Sequence, residues 1–315
     1  MKTDLKIIFM GTPDLAATCL DALIRDGRNV VLAVCQPDKP VGRKKIITPP
    51  PVKVRAEEAG IEVFQPASMK TDEAFEKIDG IKPDIIITAA YGKILPKPVL
   101  DIPKYGCINV HGSLLPRYRG ASPVQQAILN GDDMTGVTIM KMDVGMDTGD
   151  MLSRVEVPID PDIHMPELMH LLAVKGSELL LSTLDDYVGG KIIPVPQDEN
   201  EATSCTLIES SDGEFDFSSD ALTIHNKVRA LSQWPGAFVI SNGRKIKVYD
   251  TSYLPSFDET DTDPYEPGVV VKARKSDLIV KCGSGFIKIN ELQSEGGKRL
   301  RACDCAHNFK VGEKF

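Results

Sequence analysis

The chain has no apolar run approaching the roughly 20 residues that a membrane-spanning helix requires, so nothing in its 315 residues reads as a bilayer segment. Lys2 followed by Leu5–Met10 falls short of the roughly 7 to 15 apolar residues of a secretory leader and runs directly into Gly11-Thr12-Pro13-Asp14, so it reads as a first strand. There is no disulfide framework. The seven cysteines, at 19, 35, 107, 205, 282, 303 and 305, are odd in number and scattered, which points to a reducing, cytoplasmic setting. Cys303, Cys305 and His307 lack a fourth ligand at zinc spacing, and no metal is expected. The first strand-to-helix turn, Gly11-Thr12-Pro13, lacks the glycine fingerprint of dinucleotide binding, which leaves a nicotinamide or flavin cofactor unsupported. An excess of positive charge is missing too, since the net charge is −8. Its distribution matters more than its sum: from Pro267 to Phe315 ten Lys and Arg face five acids, a local +5 that suits phosphate.

What is present is a globular composition, 42% hydrophobic and 26% charged, over a length that suits two domains with separate cores. Leu5–Met10 and Asn29–Cys35 are apolar strands flanking a helix that starts at Thr12-Pro13, and this spacing predicts a right-handed parallel crossover. The run from Gln36 to Pro51 carries many prolines and four cations, and it is expected to be an irregular basic loop. Helices are expected over Val52–Ala59 and Thr71–Ile78, with strands over Glu62–Phe64 and Asp84–Ala89. Pro166 opens a long helix closed by Gly189-Gly190. Residues 1–193 therefore read as one domain, the aperiodic stretch 194–205 as a linker, and 206–315 as a second domain. There a helix capped by Asp220 or Thr223 precedes short β runs near 237–240, 245–249, 268–271, 278–281 and 286–289, a pattern that suggests a small barrel. The fold class expected is α/β, a Rossmann-like mostly parallel sheet with a smaller C-terminal β-barrel domain.

The stretch with the clearest chemistry runs from Asn109 to Pro123. Asn109 and His111 lie two apart on a strand and so share a face, offering an amide and an imidazole to a carbonyl oxygen. Gly112-Ser113-Leu114-Leu115-Pro116 cannot continue that strand and is expected to swing out as a loop, before Ser122-Pro123 opens a helix. A second polar run, Met142–Asp150, follows the next strand candidate, Gly136–Met140; if the strands are parallel neighbours, Asp147 approaches His111. An Asn, His and Asp trio suits acyl-type transfer or hydrolysis.

The Asn109-x-His111 pair, the Ser113-Leu114-Leu115-Pro116 loop and the Asp147-Thr148-Gly149-Asp150 loop resemble the formyltransferases that use 10-formyltetrahydrofolate, and the resemblance extends from Leu5 nearly to the C-terminus. It implies the formyltransferase fold with a smaller C-terminal OB-like β-barrel domain, and Asn109, His111 and Asp147 as catalytic residues. It also implies a folate site bordered by Ser113, Leu114, Leu115, Pro116, Ile94 and Leu95. The branch matched best takes initiator methionyl-tRNA as acceptor, in translation initiation and one-carbon metabolism. That branch implies a tRNA contact through Arg43, Lys44 and Lys45 near the active site. A second contact is expected through Lys298, Arg299 and Arg301 on the C-terminal domain. A cytoplasmic monomer with folate and tRNA as partners, and no membrane, is expected. Two departures stand out: Thr206-Leu207-Ile208-Glu209 lacks a lysine usual in the family, and Gln233 replaces a proline before Trp234. Sugar-nucleotide formyltransferase, formyltetrahydrofolate hydrolase and a non-enzymatic nucleotide-binding module are the rival readings.

Overall fold

The structure is a computed structural model that describes residues 5–42, 44–256, 265–275 and 277–315. Arg43 lies outside the described residues. The chain divides into two compact units, one comprising residues 1–123, 134–158 and 169–206, the other 124–133, 159–168 and 207–315.

The first unit begins with β1 (Ile7–Gly11), α1 (Asp14–Arg25) and β2 (Val30–Val34), followed by β3 (Lys39–Val41) and β4 (Ile46–Thr48). Next come α2 (Pro51–Glu58), β5 (Val63–Phe64), α3 (Asp72–Ile81), β6 (Ile85–Ala89), the single turn α4 (Lys97–Leu100) and β7 (Cys107–His111). Every residue of β1 and β6 is buried, as expected of strands with continuous apolar sequence and covered faces. Thr71 caps α3 by accepting from the Ala74 N–H. β8 (Arg119–Gly120) and α5 (Pro123–Leu129) follow, then β9 (Met134–Lys141), β10 (Met151–Pro158), α6 (Met165–Val188) and β11 (Ser204–Cys205), of which α5 beyond Pro123 and the start of α6 up to Leu168 belong to the second unit. The main sheet has seven strands in the order β10-β9-β7-β6-β1-β2-β5. From β5 to β7 all pairs are parallel.

Two expectations need correction. The basic segment 36–51 is not irregular: β3 and β4 pair antiparallel, Lys39 opposite Thr48 and Val41 opposite Ile46, so Lys44 and Lys45 fall in a hairpin turn. Pro40 is tolerated because an exposed two-stranded ribbon has an outer edge on which no N–H is needed. Second, β9 runs antiparallel to β7, with Ile108 opposite Lys141 and His111 opposite Thr138. His111, the last residue of β7, stands opposite Thr138 while Ile108 stands opposite Lys141, so the chain re-enters the sheet from the end at which it left. The loop after β9 therefore starts beside Cys107, where the Met142 N–H donates to the Cys107 carbonyl at 2.8 Å, and must fold back to reach His111.

The second unit holds α7 (Ala221–Ala230), capped by Asp220 through the Leu222 and Thr223 N–H groups. Its strands are β12 (Ala237–Ser241), β13 (Arg244–Leu254), β14 (Val270–Arg274), β15 (Asp277–Lys281), β16 (Phe286–Ser294) and β17 (Leu300–Arg301). They form an antiparallel sheet in the order β12-β13-β16-β15-β14, with β17 on β16. Phe215, Phe217, Ile224, Val248, Ile287 and Phe315 are among the residues of its own hydrophobic core. Among the described residues no helix is long and apolar enough to cross a membrane.

Candidate active site

The last residues of β7 carry the site. Asn109 and His111 do share a strand face, and each is fixed by a different neighbour. Thr88 sits directly opposite Asn109 in the β6–β7 register, and its hydroxyl donates to Asn109 Oδ1 at 2.8 Å. With its oxygen engaged, Asn109 presents its N–H groups as donors. His111 is 5% exposed and its Nε2 lies 3.0 Å from the Tyr118 carbonyl oxygen. A carbonyl only accepts, so Nε2 carries a hydrogen and Nδ1 is the nitrogen turned toward other partners.

Nδ1 faces Asp147 Oδ2 at 3.7 Å, too long for a direct hydrogen bond. The carboxylate is anchored: Oδ2 accepts from the Gly120 N–H at 2.9 Å. Asp147 has a φ of 55°, a left-handed conformation that costs free energy in a non-glycine residue and persists only where neighbours hold it. Gln197 is one such neighbour, its Nε2 donating to the Asp147 and Gly149 carbonyls at 2.8 Å each. Gly149 is needed for a close approach, because a Cβ there would collide with the Lys141 carbonyl. Gly120 meets the same constraint from the Cys205 carbonyl and has a φ of 117°. Thus Asn109, His111 and Asp147 come together, as expected, although through an antiparallel β9.

The loop Ser113–Pro116 is fixed by its own hydrogen bonds and packing. Ser113 and Leu115 are fully buried. Ser113 Oγ donates to the Arg117 carbonyl at 2.6 Å, and Thr138 ties this loop to β9 by donating to the Ser113 carbonyl at 2.7 Å and accepting from the Leu115 N–H at 3.1 Å. Leu95 joins the hydrophobic core and Ile94 is 67% exposed. None of these six residues lines one cavity of this unit that lies along β7. That cavity, about 650 Å³, is bounded by α4, the segment Pro103–Cys107 and Lys141–Val144, with Tyr187. Leu100, Cys107, Met142 and Val144 give it an apolar floor. Burial pushes the Cys107 thiol up to about 12, so it is neutral and packs as a small apolar group. Met142, one of its lining residues, has its Sδ 3.3 Å from the Thr88 hydroxyl that holds Asn109.

Of the expected basic contacts, Lys44 and Lys45 are exposed, in the company of exposed Val41, Ile46 and Ile47. In the second unit Lys298 is exposed, whereas Arg299 is bonded to Glu291 and lies over the Tyr249 ring at 4.4 Å, and Arg301 lies 3.6 Å from Asp304. The local +5 is thus partly compensated in place.

Sequence reasoning missed Thr88 and Gln197. Thr88 had a faint signal, being the one hydroxyl in Ile85-Ile86-Ile87-Thr88-Ala89. Gln197 had none, since it falls in the stretch read as a linker. Residues 194–205 here belong to the first unit, where β11 pairs with β8 and the Tyr118 N–H donates to Thr203 Oγ1 at 2.9 Å.

Comparison with known proteins agrees with this architecture. Residues 5–184 match the formyl transferase family, and residues 207–310 match the formyl transferase C-terminal domain. A methionyl-tRNA formyltransferase of Macrococcus caseolyticus is 45% identical over 313 residues, covering 98% of each chain. One of Geotalea uraniireducens is 45% identical over 307 residues, covering 98% of this chain and 96% of its own. Among solved structures, an N-formyltransferase of Helicobacter canadensis in complex with folinic acid and dTDP-3-aminofucose shares the fold at TM-score 0.68 and 18% identity, covering 94% of this chain and 100% of its own. HypX of Aquifex aeolicus in complex with tetrahydrofolic acid does so at TM-score 0.66 and 17% identity, covering 96% of this chain and 47% of its own. Full-length identity at this level, with both domains matched in order, means that the chain belongs to the methionyl-tRNA formyltransferase family.

Proposed function

We propose that this chain transfers the formyl group of 10-formyltetrahydrofolate to the α-amino group of methionyl initiator tRNA, in the cytoplasm, with Asn109, His111 and Asp147 as its catalytic residues. The observation that carries the reading is the trio: two donors on one strand face and a carboxylate 3.7 Å from the imidazole, in a chain 45% identical to enzymes of that name. Attack of an amine on a formyl carbon puts negative charge on the formyl oxygen and positive charge on the nitrogen. Asn109 Nδ2 and His111 Nδ1 donate to the oxygen. Because Nε2 is already committed to the Tyr118 carbonyl, donation from Nδ1 requires a fully protonated ring, and the Asp147 carboxylate supplies the counter-charge. Asp147 then accepts the amine's proton, directly or through water, and that proton passes to the folate nitrogen as its bond to the formyl carbon breaks, so the leaving amine departs neutral. Tetrahydrofolate leaves without any covalent enzyme intermediate.

Two places beside β7 suit the folate ring system: the border formed by Ser113, Leu114, Leu115, Pro116, Ile94 and Leu95 that the family resemblance implies, and, as its rival, the 650 Å³ cavity, whose volume is that of a small-molecule site. The hairpin turn carrying Lys44 and Lys45 and the exposed Lys298 supply positive charge for the RNA phosphates, while residues 206–315 act as the tRNA-binding domain. The test measures formate transfer from 10-formyltetrahydrofolate to initiator Met-tRNA, with a no-tRNA control and a sugar-nucleotide amine as competing acceptor. Rapid turnover with Met-tRNA alone supports the reading. Equal turnover without tRNA would convert it to a hydrolase, and preference for the sugar nucleotide to a sugar formyltransferase.

A further inference from the structure

We infer that Gln197 is a positioning residue for Asp147, so that the segment resembling a linker is a working part of the active site. The inference rests on the catalytic reading above and adds a residue to it. Gln197 is 9% exposed and its amide is used from both ends. Nε2 donates both of its hydrogens, to the Asp147 carbonyl and the Gly149 carbonyl at 2.8 Å each, while Oε1 accepts from Arg119 Nε at 2.9 Å. Arg119, 8% exposed, is fixed in turn by Glu199, its Nη1 and Nη2 donating at 3.0 and 2.8 Å. The Glu199 carboxyl lies below its ordinary value because Arg119 holds it, so this pair is charged at neutral pH. Glu199, Arg119, Gln197 and the Asp147 backbone therefore form one chain of hydrogen bonds in which every amide and guanidinium orientation is dictated by its neighbour.

The object being held needs holding. Asp147 has a φ of 55°, and the side chain whose placement depends on that backbone must keep Oδ2 on the Gly120 N–H and facing His111. Gly120 follows Arg119 directly in β8, so the same strand that orients Gln197 also supplies the N–H that anchors the carboxylate. Without the two amide donations the left-handed turn loses its outer support, and an error of about 1 Å at Asp147 is enough to cost about 100-fold in rate.

The experiment compares wild type with Gln197→Met, which keeps the shape and loses the donors, and Gln197→Glu, which keeps the shape and turns a carboxylate toward two carbonyls. Each is made alone and with Asp147→Asn, in the full chain. The expected result is a fall in kcat of about 10- to 100-fold for each single variant, with KM for the folate donor within about threefold of wild type. In the Asp147→Asn background the same replacements lower kcat by less than about threefold, because their effect passes through the carboxylate already removed. Amide hydrogen exchange across residues 145–150 rises in both variants, a readout that needs no turnover and tests the clamp even if the acceptor were misassigned. A folded Gln197→Met protein with kcat within twofold of wild type would overturn the inference. So would a full loss persisting in the Asp147→Asn background, or exchange at 145–150 unchanged.

Discussion

Thr88 and Asn109 stand opposite each other on adjacent parallel strands, and the threonine hydroxyl donates to the asparagine side-chain oxygen at 2.8 Å. One hydroxyl on a buried strand thereby decides which end of an amide meets a substrate. If Asn109 stabilises the formyl oxygen through Nδ2, replacing Thr88 by the isosteric Val frees the amide to rotate. Thr88→Val should lower kcat by about tenfold with the folate KM little changed, as loss of orientation rather than of binding. Turnover equal to wild type would mean that Asn109 is oriented by other contacts.

Removing the donors themselves should cost more. Asn109→Ala and His111→Ala are each expected to reduce kcat by about 100- to 1,000-fold, the usual effect of losing one oxyanion donor, with circular dichroism unchanged. A folded variant with near-normal kcat would take that residue out of the mechanism.

The folate assignment can be tested against its rival by filling space. Cys107 lies on the cavity floor and is 1% exposed, so if the cavity holds the folate, Cys107→Phe should raise the Kd for tetrahydrofolate by at least about tenfold. KM for Met-tRNA should stay near wild type. An unaffected folate Kd would return the pocket to the Ser113–Pro116 loop.

The two basic features should behave differently toward tRNA. Alanine at Arg43, Lys44 and Lys45 is expected to reduce kcat/KM strongly, because the tRNA contact that the family resemblance implies there would align the reacting end. Alanine at Lys298, Arg299 and Arg301 should weaken affinity and flatten its salt dependence with saturating kcat mostly retained, and by less than three free cations would give, since Arg299 and Arg301 already face Glu291 and Asp304. Affinity for Met-tRNA independent of salt would remove both contacts.

A pH dependence of stability follows from His225 in the second unit. It is 3% exposed, its Nε2 lies 3.2 Å from the Pro161 carbonyl, and its Nδ1 lies 3.0 Å from the Thr251 hydroxyl. Burial holds its pKa below the ordinary 6.5. The unfolded chain therefore binds a proton that the folded chain resists as pH falls below about 6.5, and stability declines with falling pH until the folded-state value is passed. The melting temperature of His225→Gln should fall less than that of wild type on acidification through this window. Parallel acid profiles for the two proteins would assign the dependence to other groups.

Much of this molecule is written in local pattern. Continuous apolar content marks β1 and β6, proline and glycine bracket α6, and two-residue spacing places Asn109 and His111 on one face, because strand and helix periodicities depend only on neighbours in the chain. The short β runs after Ala237 declare themselves in the same way, although β13 and β16 are longer than their most apolar stretches. Tertiary structure decided the rest. The direction of β9 depended on the end at which the chain re-entered the sheet, and the proline-rich basic segment became a ribbon once β3 and β4 could pair. The roles of Thr88, Tyr118, Gly120 and Gln197 arise from hydrogen bonds that close across 21, 7, 27 and 50 residues. Such contacts leave no periodic trace, since a donor and acceptor far apart in sequence are brought together by the packing of whole elements rather than by anything in their own surroundings.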